Sequence, residues 1–117
     1  MSKQEVTKLF EAHQNQWEKI RNVEVLVWED FPWPMFKQPS SPEDLTTAAV
    51  QAYVLYPHQR AQREIREDIR KWHPDRFNPR YLSRIKESEK EKVCEGAGSV
   101  VRILNDLLHR ITAQDPF

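Results

Sequence analysis

Residues 65–77, Ile-Arg-Glu-Asp-Ile-Arg-Lys-Trp-His-Pro-Asp-Arg-Phe, decide how this 117-residue chain folds. Ala61, Ile65, Ile69 and Trp72 follow one another at four-, four- and three-residue steps, which gives His58–Trp72 one apolar face at helical period. The helix must then stop, because Pro74 has no amide hydrogen to donate and biases His73 away from α geometry. Asn78-Pro79 offers a second helix start, after which Tyr81, Leu82, Ile85 and Val93 carry a charged helix onward. Val100, Leu104, Leu107, Leu108 and Ile111 keep strong helical period as far as Thr112. Gly96 and Gly98 either break this stretch or only weaken it, by about 1 kcal/mol each relative to alanine.

Toward the amino terminus, Ser2 and Glu5 form a capping box, and Val6, Leu9, Phe10, His13, Trp17 and Ile20 recur at three- and four-residue steps. These residues predict an amphipathic helix ending at Asn22, with His13 on its packing face. Val23 and Val25 to Trp28 form a short β-favouring run, and Phe31-Pro32-Trp33-Pro34 then forbids a continuing helix. A lone short strand makes no sheet, so Trp28, Phe31, Trp33 and Phe36 read as an aromatic belt pinning an extended connector to the helices. The alternative is an exposed aromatic surface for peptides. Ser41 is a good N-cap and Pro42 suits the first helical position, which predicts a helix to Tyr56 with Leu45, Ala49, Ala52, Tyr53 and Tyr56 facing inward.

Two glycines and eight prolines in a chain with 31% charged residues indicate helices separated by proline stops rather than a many-stranded β protein. The fold class is therefore all-α, with four or five helices in one domain over 1–117. Residues 1–41 form the first helix and connector, and 42–112 form the helical core. Trp72, Ile65 and Ile69 should pack against Leu104, Leu107 and Leu108, with residues 73–75 in an exposed loop between two antiparallel helices. The single Cys94 can form no internal disulfide and reads as a small apolar helix residue, which points to a reducing compartment, cytoplasmic or nuclear. No apolar run approaches the roughly 20 residues of a membrane span, and the polar start is no signal peptide. No membrane partner is expected.

Net charge is zero but unevenly spread: residues 1–57 carry five basic and eight acidic side chains, and residues 58–92 carry eleven and seven, a local net of +4. Such a segment can steer an acidic partner, although a charged face can equally be plain solvation. Within it, histidine ends a helix, proline fixes a rigid exit, and aspartate presents a carboxylate suited to an arginine. The competing structural account has Asp75 capping local amides and His73 stacking on Trp72.

Lys71-Trp72 before His73-Pro74-Asp75 and Arg76-Phe77 after it resemble helix II, the loop and helix III of a J domain. The resemblance covers mainly residues 42–110. It is closer to the J-like carboxyl-terminal region of NF-kappa-B inhibitor-like proteins and to short fungal proteins of the same arrangement. The strings that carry it are Trp72 to Phe77, Glu95-Gly96-Ala97-Gly98, Val100 to Asn105, and Phe31-Pro32-Trp33-Pro34 upstream. In J domains the loop and the basic face of helix II bind a DnaK-type heat-shock chaperone and stimulate its ATPase. The resemblance thus implies a partner-binding set of His73, Pro74, Asp75, Arg63, Arg66, Arg70, Lys71 and Arg76. There are departures: the usual Tyr…Leu-Gly opening is absent, the helix after the motif is longer, and Asp68 stands where the family usually has a buried leucine.

Other classes have less behind them. His13, His58, His73 and His109 lack metal-ligand spacing, there is no glycine-rich phosphate loop, and Cys94 has no sequence-local histidine. No enzyme activity, metal or cofactor is expected. Nucleic acid could meet the basic segment with Trp72, Phe77 and Tyr81 interleaved, but a pI near 6.9 and the lack of a reading motif argue against it. A scaffold role differs from the co-chaperone role in not needing Asp75.

Overall fold

The computed structural model describes residues 2–56 and 62–114, and these are all-α. Helix α1 runs Lys3–Lys19, opened by the Ser2 hydroxyl, which accepts the Glu5 N–H at 3.2 Å. It tightens into a 3-10 turn at Ile20–Asn22, so the first helix ends where the apolar period predicted. The remaining helices are α2, Thr47–Val54; α3, Gln62–Trp72; α4, Pro74–Tyr81; and α5, Lys90–Gln114. Residues 57–61, including the predicted start of α3 at His58 and its Ala61, lie outside the described residues.

Two expected helices are corrected. The helix predicted from Ser41 is only a 3-10 turn at Pro42–Asp44, and α2 starts later, with the Thr46 hydroxyl accepting the Ala49 N–H at 3.2 Å. Asp44 turns its carboxylate back onto the Ser40 N–H at 2.8 Å, and Leu45 leaves helical geometry to enter the core. Val50 and Val54 join Tyr53 on the buried face, whereas Ala52 is exposed. The continuous helix predicted from Asn78 through Val93 is also interrupted. Helix α4 ends at Tyr81, two 3-10 turns follow at Leu82–Arg84 and Glu87–Glu89, and α5 begins only at Lys90.

The interruption has a tertiary cause. Ile85 leaves the helix to pair with Leu26 in a parallel β-bridge: the Leu26 N–H donates to the Arg84 carbonyl at 2.7 Å, and the Lys86 N–H donates to the Leu26 carbonyl at 2.8 Å. Both apolar side chains are thereby buried. Arg84 secures the junction, because its Nη1 donates to the carbonyls of Ile20 at 2.6 Å and Val23 at 2.8 Å. The Ile20 carbonyl also accepts the Val23 N–H at 3.4 Å, so Arg84 adds a second donor at the end of the first helix and supplies one to the Val23 carbonyl just beyond it.

Helix α5 is the spine. Val93, Ala97, Val100, Leu104 and Leu107 are buried at alternating four- and three-residue steps, and α3, α2 and the Pro42–Asp44 turn pack on it. Ile65, Trp72, Leu104 and Leu107 share one core, with Ile69 and Leu108 half-buried against it, so the expected pairing of α3 with the last helix is present. The helix runs unbroken through Gly96 and Gly98.

The aromatic connector is core. Trp28 stacks on Trp33 at 4.2 Å between ring centroids, Trp33 on Trp72 at 4.8 Å, and Trp72 on Phe77 at 5.8 Å. Phe31 packs against Phe77 and edge-on to Tyr81. Burying an indole requires a partner for its N–H. Trp28 Nε1 donates to the Pro39 carbonyl at 2.6 Å, and Trp33 Nε1 donates to the Trp28 carbonyl at 2.9 Å. The belt that pins the connector therefore continues through α3 into α4.

Candidate functional site

The stack ends at the corner between α3 and α4, and this geometry places the His73-Pro74-Asp75 tripeptide. It does not form the expected exposed loop between two antiparallel helices. His73, with extended backbone, is the single residue between α3 and α4, Pro74 occupies the first position of α4, and Asp75 lies in its first turn. The cap is His73, whose Nδ1 accepts the Asp75 N–H at 3.2 Å. Trp72 is held between Trp33 and Phe77 on the inner side of the corner. The proline stop ends α3 as predicted, but its fixed φ also preorganises the next helix at once, so no loop is needed.

Asp75 is left facing outward. Its side chain is 89% exposed, and its Oδ2 lies 3.7 Å from His73 Nδ1. A carboxylate at the positive end of a helix is favourably placed there, and its remaining acceptor sites face solvent. A groove of about 270 Å³ is lined by Arg70 and Lys71 from α3 and Arg76 and Arg80 from α4, with Glu67 and Tyr81; Asp75 precedes Arg76 in the chain but does not itself line the groove. Arg80 continues into a second concavity with Arg21 and Arg84.

The structure thus brings together Arg70, Lys71 and Arg76 of the predicted partner-binding set. Arg66 is not with them, because it lines a different depression beside Asn105, Leu108 and His109 of α5. The side chain of Arg63 lies outside the described residues. Arg80 was missed by sequence reasoning, although its i,i+4 spacing from Arg76 on one helix face was the available signal.

A larger cleft, about 370 Å³, opens between α1, α2 and α3, lined among others by Phe10, His13, Trp17, Tyr53 and Tyr56. His13 Nδ1 lies 2.6 Å from the Tyr53 hydroxyl, and burial pushes the His13 pKa below the ordinary histidine value. Burial disfavours the charged ring, so the folded state favours neutral His13. With the folded pKa below the unfolded one, the unfolded chain binds the extra proton, and stability is lost as pH falls below the ordinary histidine value near 6.5. Denaturant midpoints measured between pH 7 and pH 5 should therefore decline more steeply in the wild type than in His13→Gln. Parallel slopes would show that His13 does not contribute.

Among the described residues no group of three or more His, Cys, Asp and Glu could hold a metal ion. The half-buried Cys94 thiol is pushed above its ordinary pKa by burial, only partly offset by Lys90. Thiolate is the reactive form, so this environment suppresses nucleophilic character. No helix of the described residues is long and apolar enough to cross a membrane.

Neither the curated proteins nor the solved structures give a match to this chain. A family match does exist, and it takes in α2 through α5, including the α3–α4 corner and the basic groove. Residues 44–112, more than half of the chain, match the NF-kappa-B inhibitor-like protein 1 C-terminal domain, and the chain belongs to that family.

Proposed function

We propose that this protein is a non-enzymatic protein-interaction module whose contact surface is the α3–α4 corner, where an acidic segment of a partner lies in the Arg70–Lys71–Arg76–Arg80 groove. The supporting observation is that groove, formed by cations of both α3 and α4, on the helix whose start is set by His73 and Pro74 and whose first turn carries the exposed Asp75 carboxylate one residue before Arg76. Clustered cations raise the encounter rate with an acidic surface, and a fixed carboxylate adds orientation by pairing with an arginine. Neither action requires chemistry at the site. A DnaK-type heat-shock chaperone is the partner that the tripeptide's resemblance to J domains implies, and stimulation of its ATPase is the more specific form of this reading.

The test is a parallel binding assay of wild type, Asp75→Asn and Arg76→Glu/Arg80→Glu against a purified DnaK-type chaperone and a cell extract, with ATPase rate as second readout. Asp75→Asn removes an exposed charge without a cavity, so stability should stay within about 0.5 kcal/mol. Loss of a charge-assisted pair at the interface should weaken binding about thirtyfold, on the order of 2 kcal/mol. The double reversal should abolish salt-sensitive association. A chaperone bound and stimulated by the wild type only would establish the co-chaperone form. Other partners lost from both variants would leave an interaction module without it. A wild type whose retained proteins match those of both variants would sink the proposal.

A further inference from the structure

The cleft between α1, α2 and α3 has the opposite character to the basic groove, and the two meet at Lys71, which lines both. Its walls carry aromatic rings on three helices. Tyr53 and Trp72 are buried, whereas Phe10, Trp17 and Tyr56 are half-buried. Phe10 meets Tyr53 edge-on at 4.9 Å and Tyr56 at 6.4 Å, and Trp17 meets Trp72 edge-on at 4.9 Å. Among the described residues the charged lining is the carboxylates of Glu64 and Asp68 and the ammonium of Lys71, while burial keeps His13 toward its neutral form.

The cleft already engages one cation. Lys71 Nζ lies 5.9 Å from the Trp17 ring centroid and donates to Gln14 Oε1 at 3.4 Å. Aromatic faces attract cations through the ring quadrupole, and carboxylates beside them reinforce the same sign of ligand. A volume of about 370 Å³ is within the range of small-ligand sites. We infer that this cleft is a recognition site for a cationic side chain, the ammonium of a lysine or the guanidinium of an arginine, presented by a peptide segment. The aliphatic stem of such a residue lies along Pro32 and Pro34 on the cleft wall, and its charged head is placed against the rings and α3 carboxylates.

This inference does not depend on the basic groove. The probe is n-butylammonium chloride, a lysine side-chain mimic, with n-butanol as the neutral counterpart and ionic strength held constant with sodium chloride. Ring resonances of Phe10, Trp17 and Tyr56 are followed by NMR. The expected result is saturable, millimolar binding of butylammonium, about fivefold weaker for butanol and about fivefold weaker in Tyr56→Leu. Glu64→Gln, an exposed position, should weaken butylammonium while leaving butanol unchanged. Arg76→Glu/Arg80→Glu should bind butylammonium as the wild type does, so failure of the groove and failure of the cleft are separable. Linear, unsaturable shifts, or equal affinity for the amine and the alcohol, would overturn the inference.

Discussion

Trp72→Ala is expected to cost about 3 to 5 kcal/mol, the usual range for removing a buried tryptophan. The ring is 3% exposed and is shared by three parts of the molecule. Trp33 of the connector stacks on it at 4.8 Å, Trp17 of α1 meets it edge-on at 4.9 Å, and Phe77 of α4 lies at 5.8 Å. Truncation therefore leaves a cavity that no single neighbour can fill. A domain of this size has about 5 to 15 kcal/mol in total, so the variant should lose a large fraction of it and melt well below the wild type. Trp72→Phe, which keeps a ring in the stack, should recover part of the loss. A denaturation midpoint unchanged in Trp72→Ala would contradict the stack as the centre of the fold.

Gly96→Ala and Gly98→Ala should have opposite effects although they lie two residues apart on α5. A Cβ at Gly96 would sit 2.7 Å from Trp28 Cζ3 and 2.8 Å from Trp33 Cη2, whereas one at Gly98 meets nothing within 4 Å. Both indoles are fully buried and tethered through their N–H groups, so they cannot retreat cheaply. Overpacking a filled core costs about 1 to 3 kcal/mol, which outweighs the roughly 1 kcal/mol that alanine gains over glycine in a helix. At Gly98 only the gain remains, and stability should rise by about 1 kcal/mol, or about 4 °C in Tm. Thermal melts of the two variants give the comparison. Two shifts of the same sign would mean that α5 does not approach the tryptophan pair as closely as described.

Elements governed by local rules were legible in the sequence. The Ser2 cap, the period of α1, the stop at Pro74 and the apolar stripe of α5 each depend on residues within a turn or two of one another. What was not legible depends on distant partners. Ile85 sits within a helical pattern, and only its pairing with Leu26 draws it out. Gly96 could be read as a break until the rings above it were placed. The same division holds for the site. Asp75 and the α3 cations could be named from the tripeptide and its surroundings, but which arginines share a groove depends on how α3 turns into α4. A one-residue junction brings Arg76 and Arg80 beside Arg70 and leaves Arg66 facing α5.

The tryptophan stack also separates the boundary of the family from the boundary of the folding unit. The matched region begins at residue 44, yet Ile20, Leu26, Trp28, Phe31 and Trp33, all before it, are fully buried in the same core. Trimmed to 44–112, the chain would present the inner face of Trp72, the cradle over Gly96 and the bare edge at Ile85 to water. Such a fragment keeps every residue of the basic groove and loses the wall that holds its two helices at their angle. The shape of the α3–α4 corner therefore depends on sequence that the family match does not include.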